Sequence, residues 1–353
     1  MLSPFSPIIR FDLMKFIIFA YLVSMKMKEL VINFPNQIIE AIQIGKSASI
    51  PFKNKNFNKV FVAGLGGSGI GGSIVKDFCD SFLTIPFIVE KNYFISNCVD
   101  KETLFIACSY SGNTEETLNA IQIAKKKNAQ IVCITSGGEL EKYANKNKIP
   151  CILIPSGMPP RACLGYSMVQ ILFVLKQVGL IKKNIETELL SGLQLIKKEQ
   201  KKIHLQAQKI AKFSYQKTIL LYTVAGYEGL IIRYKQQLNE NAKVLAWHNV
   251  IPEMTHNEIV GWKLPQENIA IQFCYHKQDF EKNLRRLSYL KKVVKKYTNH
   301  IQDIIIEGST YWEKAIYFIN LTDWVSVYLA DLYGHDAVEV KVIDGLKNEM
   351  SKK

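Results

Sequence analysis

The chain has 353 residues, of which 48% are hydrophobic and 22% charged, with a formal net charge of +14. That length allows two domains with substantial cores, and the composition is that of an ordinary globular protein rather than a disordered or fibrous one. The positive excess sits in lysine-rich stretches around 125–127, 197–202 and 291–296. With no arginine-rich tail, helix-turn-helix signature or aromatic–basic interleaving, it reads as solvated surface, and no nucleic-acid partner is expected.

Residues 1–26 differ from the rest of the chain. Lys15 precedes a short apolar run, 16–23, which fits a signal h-region better than a membrane span. Asp12 interrupts the basic side of that run and no small-x-small cleavage site comes after it. The stretch is therefore expected to be an upstream extension outside the fold, with translation beginning at Met25 or Met27, and no membrane partner is expected.

A domain begins around Asn33-Phe34-Pro35, after which strands and helices alternate. Residues 59–63 predict a strand, and glycines lead from it into a helix over about 68–79. Strands come next at 85–89 and 103–108, then a helix from 114 to about 127 and a strand at 130–135. A short strand at 152–154 precedes an apolar helix over 161–180. A long Lys/Gln-rich helical stretch, 184–213, links to a second unit. There, strands are predicted at 218–224, 268–274 and 303–306, with helices over 228–242, 280–297, 313–333 and 338–350. The repeated βα order implies α/β architecture, with parallel sheets covered by helices on both faces. Two similar halves of roughly 150 residues fit better than one large domain. The expected division is 27–195 and 196–353.

Two loops carry the first chemical signal. Gly64-Leu65-Gly66-Gly67-Ser68-Gly69 comes after a strand and matches GxGxxG, with Glu90 at the end of the next strand. On spacing alone this is a dinucleotide fingerprint. The same loop also permits close backbone approach to a monophosphate, with the Ser68 hydroxyl added. Ser109-Tyr110-Ser111-Gly112-Asn113-Thr114 lies between an apolar strand and Glu115-Glu116-Thr117-Leu118, where a helix starts. Three hydroxyls and the unsatisfied amides of a helix N-terminus meet there, an arrangement that favours an anion without any lysine. A nicotinamide-binding fold has no need of that second loop, so a small phosphate ester on a sugar is the expected ligand.

The seven cysteines, at 79, 98, 108, 133, 151, 163 and 274, form no CxxC pair, and the six histidines form no HExxH or tight cluster. Reduced thiols in a cytoplasmic protein are expected, with no metal and no cofactor.

The loop 64–73 and the Ser-Tyr-Ser-Gly-Asn-Thr loop resemble the sugar isomerase (SIS) fold. Further segments resemble the bifunctional phosphoglucose/phosphomannose isomerases. They are Pro159-Pro160-Arg161-Ala162 with Leu164-Gly165-Tyr166, Asn239-Glu240-Asn241-Ala242-Lys243, the run from Pro252 through His256 to Gly261, and Ile343-Asp344-Gly345-Leu346-Lys347. The resemblance covers about Met27 to the C-terminus and implies two SIS-type doubly wound subdomains. It also implies interconversion of glucose 6-phosphate and fructose 6-phosphate, and of mannose 6-phosphate and fructose 6-phosphate.

The residues suit that chemistry. An aldose–ketose isomerase needs a phosphate anchor, a base to move a proton between C1 and C2, charge stabilisation for the enediolate, and an acid/base pair to open the sugar ring. Glu240 is a carboxylate base whose pKa shielding from water could raise. Arg161 is permanently charged and suits the enediolate. His256 titrates nearest neutrality and suits ring opening, with Lys347 as helper. The resemblance implies these same roles and places the phosphate at Gly67, Ser68, Ser109, Ser111 and Thr114. It further implies a homodimer in which His256 reaches the neighbouring site.

Taken singly, each of these residues has a duller reading. Glu240 lies in a polar helical segment, His256 in a loop near His248, Arg161 at the start of an apolar helix, and Lys347 in a terminal helix with Lys341. One departure stands out. Relatives commonly carry proline and threonine in the turn before the final helix, and the threonine is associated with accepting both C2 epimers. Here the turn is Gly334-His335-Asp336-Ala337-Val338-Glu339-Val340, so the resemblance bears more directly on the glucose epimer than on the mannose one. A nonenzymatic sugar-phosphate sensor would keep the two loops without needing Glu240, His256 and Lys347. An aminosugar synthase would require an N-terminal nucleophilic-cysteine domain, for which the chain has no room.

Overall fold

The computed structural model describes residues 26–52 and 56–350, so the expected extension lies, except for Lys26, outside the described residues. Two short helices open the fold, α1 (Met27–Ile32) and α2 (Phe34–Ser47). The first α/β unit comes next, with β1 (Lys59–Ala63), α3 (Gly66–Cys79), β2 (Phe87–Glu90), β3 (Thr103–Ser109), α4 (Glu115–Lys126), β4 (Gln130–Thr135), α5 (Gly138–Lys146) and β5 (Cys151–Leu153). A 3-10 turn at Pro160–Ala162 leads into α6 (Leu164–Gln177). The strands form one sheet in the order β2-β1-β3-β4-β5, with every pairing parallel.

Strands β1 and β3 are apolar nearly throughout because helices cover both faces of the sheet, as parallel pairing requires. The chain leaves β1 towards β2 on one side and returns to β3 on the other. The crevice at the carboxyl ends of β1 and β3 is therefore the topological switch point, where open α/β sheets bind ligands. Both predicted loops open there.

Helices α7 (Ile185–Lys198) and α8 (Gln200–Ser214) connect the two units. The predicted single stretch 184–213 is thus two helices, and neither glycine nor proline marks the break at Glu199. Helix α7 crosses position 195/196 and packs on elements of both units. The second unit contains β6 (Thr218–Val224), α9 (Glu228–Glu240), β7 (Ala246–Ile251), β8 (Ile269–Tyr275), α10 (Glu281–Val294), β9 (Ile301–Ile305), α11 (Tyr311–Tyr333) and α12 (Lys341–Met350). Its sheet is also wholly parallel, in the order β7-β6-β8-β9.

Helix α11 is apolar on almost all sides and packs on α7, α8 and α9, so it is the central buried helix of this half. Its start is fixed by a capping box, in which the Thr310 hydroxyl accepts from the Glu313 N–H and the Glu313 carboxylate accepts from the Thr310 N–H. Its end is fixed by Gly334 in the left-handed conformation. The two units meet where α3 packs against α9.

Candidate active site

The two loops expected to hold phosphate lie side by side. Gly67 and Ser68 lie in the first turn of α3, and no side chain caps that helix. The Ser68 hydroxyl accepts from the Tyr110 N–H at 2.9 Å, which ties the first loop to the second. Ser109 and Thr114 share a hydroxyl–hydroxyl bond at 2.9 Å, and Ser111 Oγ accepts from the Asn113 N–H at 3.2 Å. Thr114 is the N-cap residue of α4 but makes no side-chain capping bond. Two helix N-termini with uncapped first turns therefore face the same switch point, an arrangement suited to an anion.

Arg161 is not in the helix predicted to start at 161. Pro159 and Pro160 hold it in the 3-10 turn instead, and α6 begins at Leu164. Although a guanidinium at this kind of boundary would ordinarily be exposed, this one is 3% exposed. Four of its donor bonds have protein acceptors. Nε donates to Asn241 Oδ1 at 2.7 Å, Nη1 reaches Glu240 Oε2 at 3.5 Å, and Nη2 donates to Ala337 O at 2.7 Å and Val338 O at 2.9 Å. Burial pushes its pKa down, while Glu240 opposes that shift. A guanidinium stays protonated throughout the useful pH range even so.

Glu240 closes α9 and is a quarter exposed. One oxygen faces Arg161, and the residue also borders a groove of about 390 Å³ lined by Lys243, Leu245, Val340 and Val342 among others. The first unit thus supplies two hydroxyl-rich loops and a buried cation, and the second a carboxylate beside that cation. Beneath them, Arg233 Nη2 donates to Arg161 O at 2.9 Å, and Arg233 Nη1 pairs with Asp323 at 3.0 Å. Gln237 donates to the same Asp323, and Asn241 to Ser326 Oγ. Burial raises the Asp323 pKa and Arg233 counters it.

Of the other two predicted residues, His256 lines a different cavity, while Lys347 lies on the helix whose Val342 and Ile343 border the Glu240 groove. His256 ends a 3-10 turn, Glu253–His256, and lines a separate cavity of about 430 Å³ with Glu228, His248 and Pro252. His248 stands 3.9 Å from Glu228 there, and burial lowers its pKa. Lys347 lies on α12, where no residue is buried, and its ammonium is 3.7 Å from Asp344. A cavity of about 610 Å³ lies elsewhere again, beyond the carboxyl ends of β8 and β9, and none of the predicted site residues lines it.

Sequence reasoning assigned no role to Asn241, Lys243, Arg233 or Asp323. Asn241 and Lys243 fall inside a motif singled out on other grounds. Arg233 and Asp323 are charged residues on predicted helices, and only the fold shows that they are buried together.

Residues 203–350 match the bacterial phospho-glucose isomerase C-terminal SIS domain, and residues 55–170 match the SIS domain. A bifunctional phosphoglucose/phosphomannose isomerase from Caldicellulosiruptor bescii is 39% identical over 336 residues, covering 92% of this chain and 99% of its own. A protein of the same name from Aquifex aeolicus is 33% identical over 302 residues, covering 84% and 91%. Among solved structures, the C-terminal domain of glucosamine-fructose-6-phosphate aminotransferase from Francisella tularensis superposes with a TM-score of 0.71 at 15% identity, covering 90% of this chain and 98% of that one. Tagatose-6-phosphate ketose/aldose isomerase from Escherichia coli gives 0.69 at 15% identity, covering 90% and 96%. These two structural likenesses concern the fold alone.

Proposed function

The chain belongs to the bifunctional phosphoglucose/phosphomannose isomerase family, and on that premise we propose how its residues carry out the reaction. It is an aldose–ketose isomerase that interconverts glucose 6-phosphate, and mannose 6-phosphate, with fructose 6-phosphate. Glucose and mannose 6-phosphates differ only at C2, so loss of the C2 proton from either epimer gives the same cis-enediol.

The phosphate is anchored by Gly67, Ser68, Ser109, Ser111 and Thr114. His256 and Lys347 open the ring, one accepting the O1 proton while the other protonates the ring oxygen. The Glu240 carboxylate takes the C2 proton and returns it to C1, as a hydroxyl proton passes from O2 to O1. Arg161 stabilises the negative charge that builds on the enediolate.

The observation that carries this reading is the position of the 160–161 turn. Its backbone lies against Gly67, where an added Cβ would be 2.7 Å from Pro160 and 2.8 Å from Arg161 N. Its side chain reaches Glu240. One turn therefore joins the phosphate loop to the base.

The resemblance implies a homodimer, with His256 contributed by the neighbouring subunit, and the unpaired cysteines a cytoplasmic location. Two observations support it. His256 lines a cavity to which neither Arg161 nor Glu240 contributes, and the apolar residues Val342, Leu346, Met350, Leu245 and Trp247 are all more than half exposed. No described helix is long and apolar enough to cross a membrane.

Complementation tests both the base and the dimer. Glu240→Gln and His256→Ala are each expected to lose turnover of fructose 6-phosphate. Mixed after partial denaturation and refolding, they should regain activity, because one site of each heterodimer combines an intact Glu240 with an intact His256. Active E240Q would sink the assignment of the base. Two inactive variants that give no recovery, in a mixture shown to contain heterodimer, would place both residues in the same subunit's site.

A further inference from the structure

The turn before α12 is held in an unusual way. Its four successive carbonyls, from 336 to 339, all accept hydrogen bonds from two cations. Lys243 Nζ donates to Asp336 O at 2.8 Å and Glu339 O at 2.7 Å, while Arg161 Nη2 takes Ala337 O and Val338 O between them. The third proton of the Lys243 ammonium goes to the carbonyl of Glu240 itself, at 2.7 Å. That carbonyl ends α9, where a cation is favoured by the helix dipole and by the lack of an intrahelical partner.

We propose that Lys243 is a positioning residue of the isomerase site, its ammonium fastening the main chain of Glu240 to both ends of the 336–339 turn so that the carboxylate stays against Arg161. The backbone around it is built for this. Lys243 has a φ of 59°, in the left-handed region that L residues seldom adopt, and this conformation turns the chain back over the end of α9. His335 Nδ1 and Ala242 O are hydrogen-bonded at 2.8 Å, a further tie between the same two segments. Burial and the nearby Arg161 depress the Lys243 pKa, while the carboxylates of Glu339, Asp336 and Glu240 oppose that shift.

Every acceptor in this clamp is a main-chain carbonyl. The turn is therefore held through its backbone, independently of the side chains it carries. Threading one ammonium through three carbonyls also uses all the donors lysine has. A neutral side chain of similar length cannot replace it, and the planar fork of arginine can replace it only in part.

The proposal rests on Glu240 being the base, so the experiment includes a control for that. The full chain is prepared as wild type, Lys243→Met, Lys243→Arg and Glu240→Gln. Fructose 6-phosphate turnover is measured for kcat and KM, with a melting curve for each. K243M is expected to lower kcat about tenfold or more, since small displacements of a catalytic group have effects of that size. Its KM should stay within about twofold because the Lys243 ammonium bonds the 240, 336 and 339 carbonyls and no phosphate-loop residue, and K243R should fall between K243M and wild type. A K243M kcat within twofold of wild type, or a loss confined to KM, would overturn the proposal. Should K243M fail to fold, K243R decides: a several-fold lower kcat at unchanged KM supports the clamp, and a wild-type kcat overturns it. Active E240Q would instead refute the base, whereas inactive E240Q beside an unimpaired K243M would refute only the role of Lys243.

Discussion

Asp77 offers the sharpest test of how the two units are joined. It lies on α3, and its Oδ2 accepts from the Gly229 N–H at 2.7 Å, at the start of α9 in the other unit. Burial drives its pKa up from 3.8 to about 7, only partly offset by the Gly229 bond and Lys76, with Asp80 and Glu228 adding to the rise. A carboxyl whose folded pKa lies above its unfolded value stabilises the fold fully below the unfolded value. It gives up that stability as pH rises through the folded one. Each unit between the two is worth about 1.4 kcal/mol, so wild type should lose on the order of 2 kcal/mol between pH 5 and pH 7 and little beyond pH 8. In melting temperature that is several degrees, at roughly 2–4 °C per kcal/mol for units of this size. Asp77→Asn keeps an oxygen for Gly229 and cannot ionise. The difference between its melting temperature and that of wild type should therefore grow in favour of the variant by several degrees from pH 5 to pH 7–8. The half-buried His204 and His248 and the buried His276, whose pKa values are lowered, tilt stability the opposite way, towards higher pH. They are common to both proteins, so the difference between the two melting profiles isolates Asp77. Parallel profiles from pH 5 to pH 8 would refute the reasoning.

Two further substitutions probe the scaffold of the site. Gly67→Ala places a methyl 2.7 Å from the backbone of Pro160, an overpacking worth about 1–3 kcal/mol; because the strain falls on the turn that carries Arg161, kcat and melting temperature should drop together, and an unchanged kcat would show that the turn yields without moving the guanidinium. Arg233→Met leaves the buried carboxylate of Asp323 without its cation, which should cost about 3–5 kcal/mol in urea unfolding; a loss under about 1 kcal/mol would mean that the pair contributes little to joining α9 and α11.

The parts of this protein that were legible in its sequence are the local ones. A buried strand, a Gly/Ser loop and a helix are contiguous, so the loops at 64–69 and 109–114 could be read with their helices and their chemistry. Strand β6 was found at its observed bounds, because 218–224 is an apolar run with a turn at each end. Strand β7 was missed because it is an edge strand with one neighbour, and its Trp247-His248-Asn249 centre has no buried alternation. Helices α2 and α5 were also missed. The first was hidden behind Pro35, and the second is a short polar segment opened by two glycines. The final helix begins at Lys341 rather than 338 because the carbonyls up to 339 are bound to Arg161 and Lys243 instead of entering helical bonds. Arg161 and Glu240 were singled out through their motifs, and the structure brings them into contact. Periodicity could not have paired them, since nothing in either segment encodes a contact across 79 positions. The carbonyl clamp was invisible for a more basic reason. Every residue carries a carbonyl, so the sequence of the turn leaves no trace of what its backbone accepts.

This division between local and tertiary signals reflects the way the site is built. The proposed phosphate loop is the N-terminus of α3 and the proposed base is the C-terminus of α9, and the two helices pack directly on each other. At their contact Gly229 meets Ser73 and Ile74, where an added Cβ would come within 2.8 Å of backbone, so α9 can approach α3 this closely only with glycine at that position. Helices are stiff, so the separation between phosphate anchor and carboxylate is set by that contact and by the lengths of the two helices rather than by any loop. The loops add orientation. Arg161 fixes the carboxylate from the first unit's side, and Lys243 fixes it from the second. A hexose phosphate has its reacting carbons and its phosphate at opposite ends, and such a substrate calls for two anchors at a fixed separation. The helix contact provides the separation, and the two cations provide the aim.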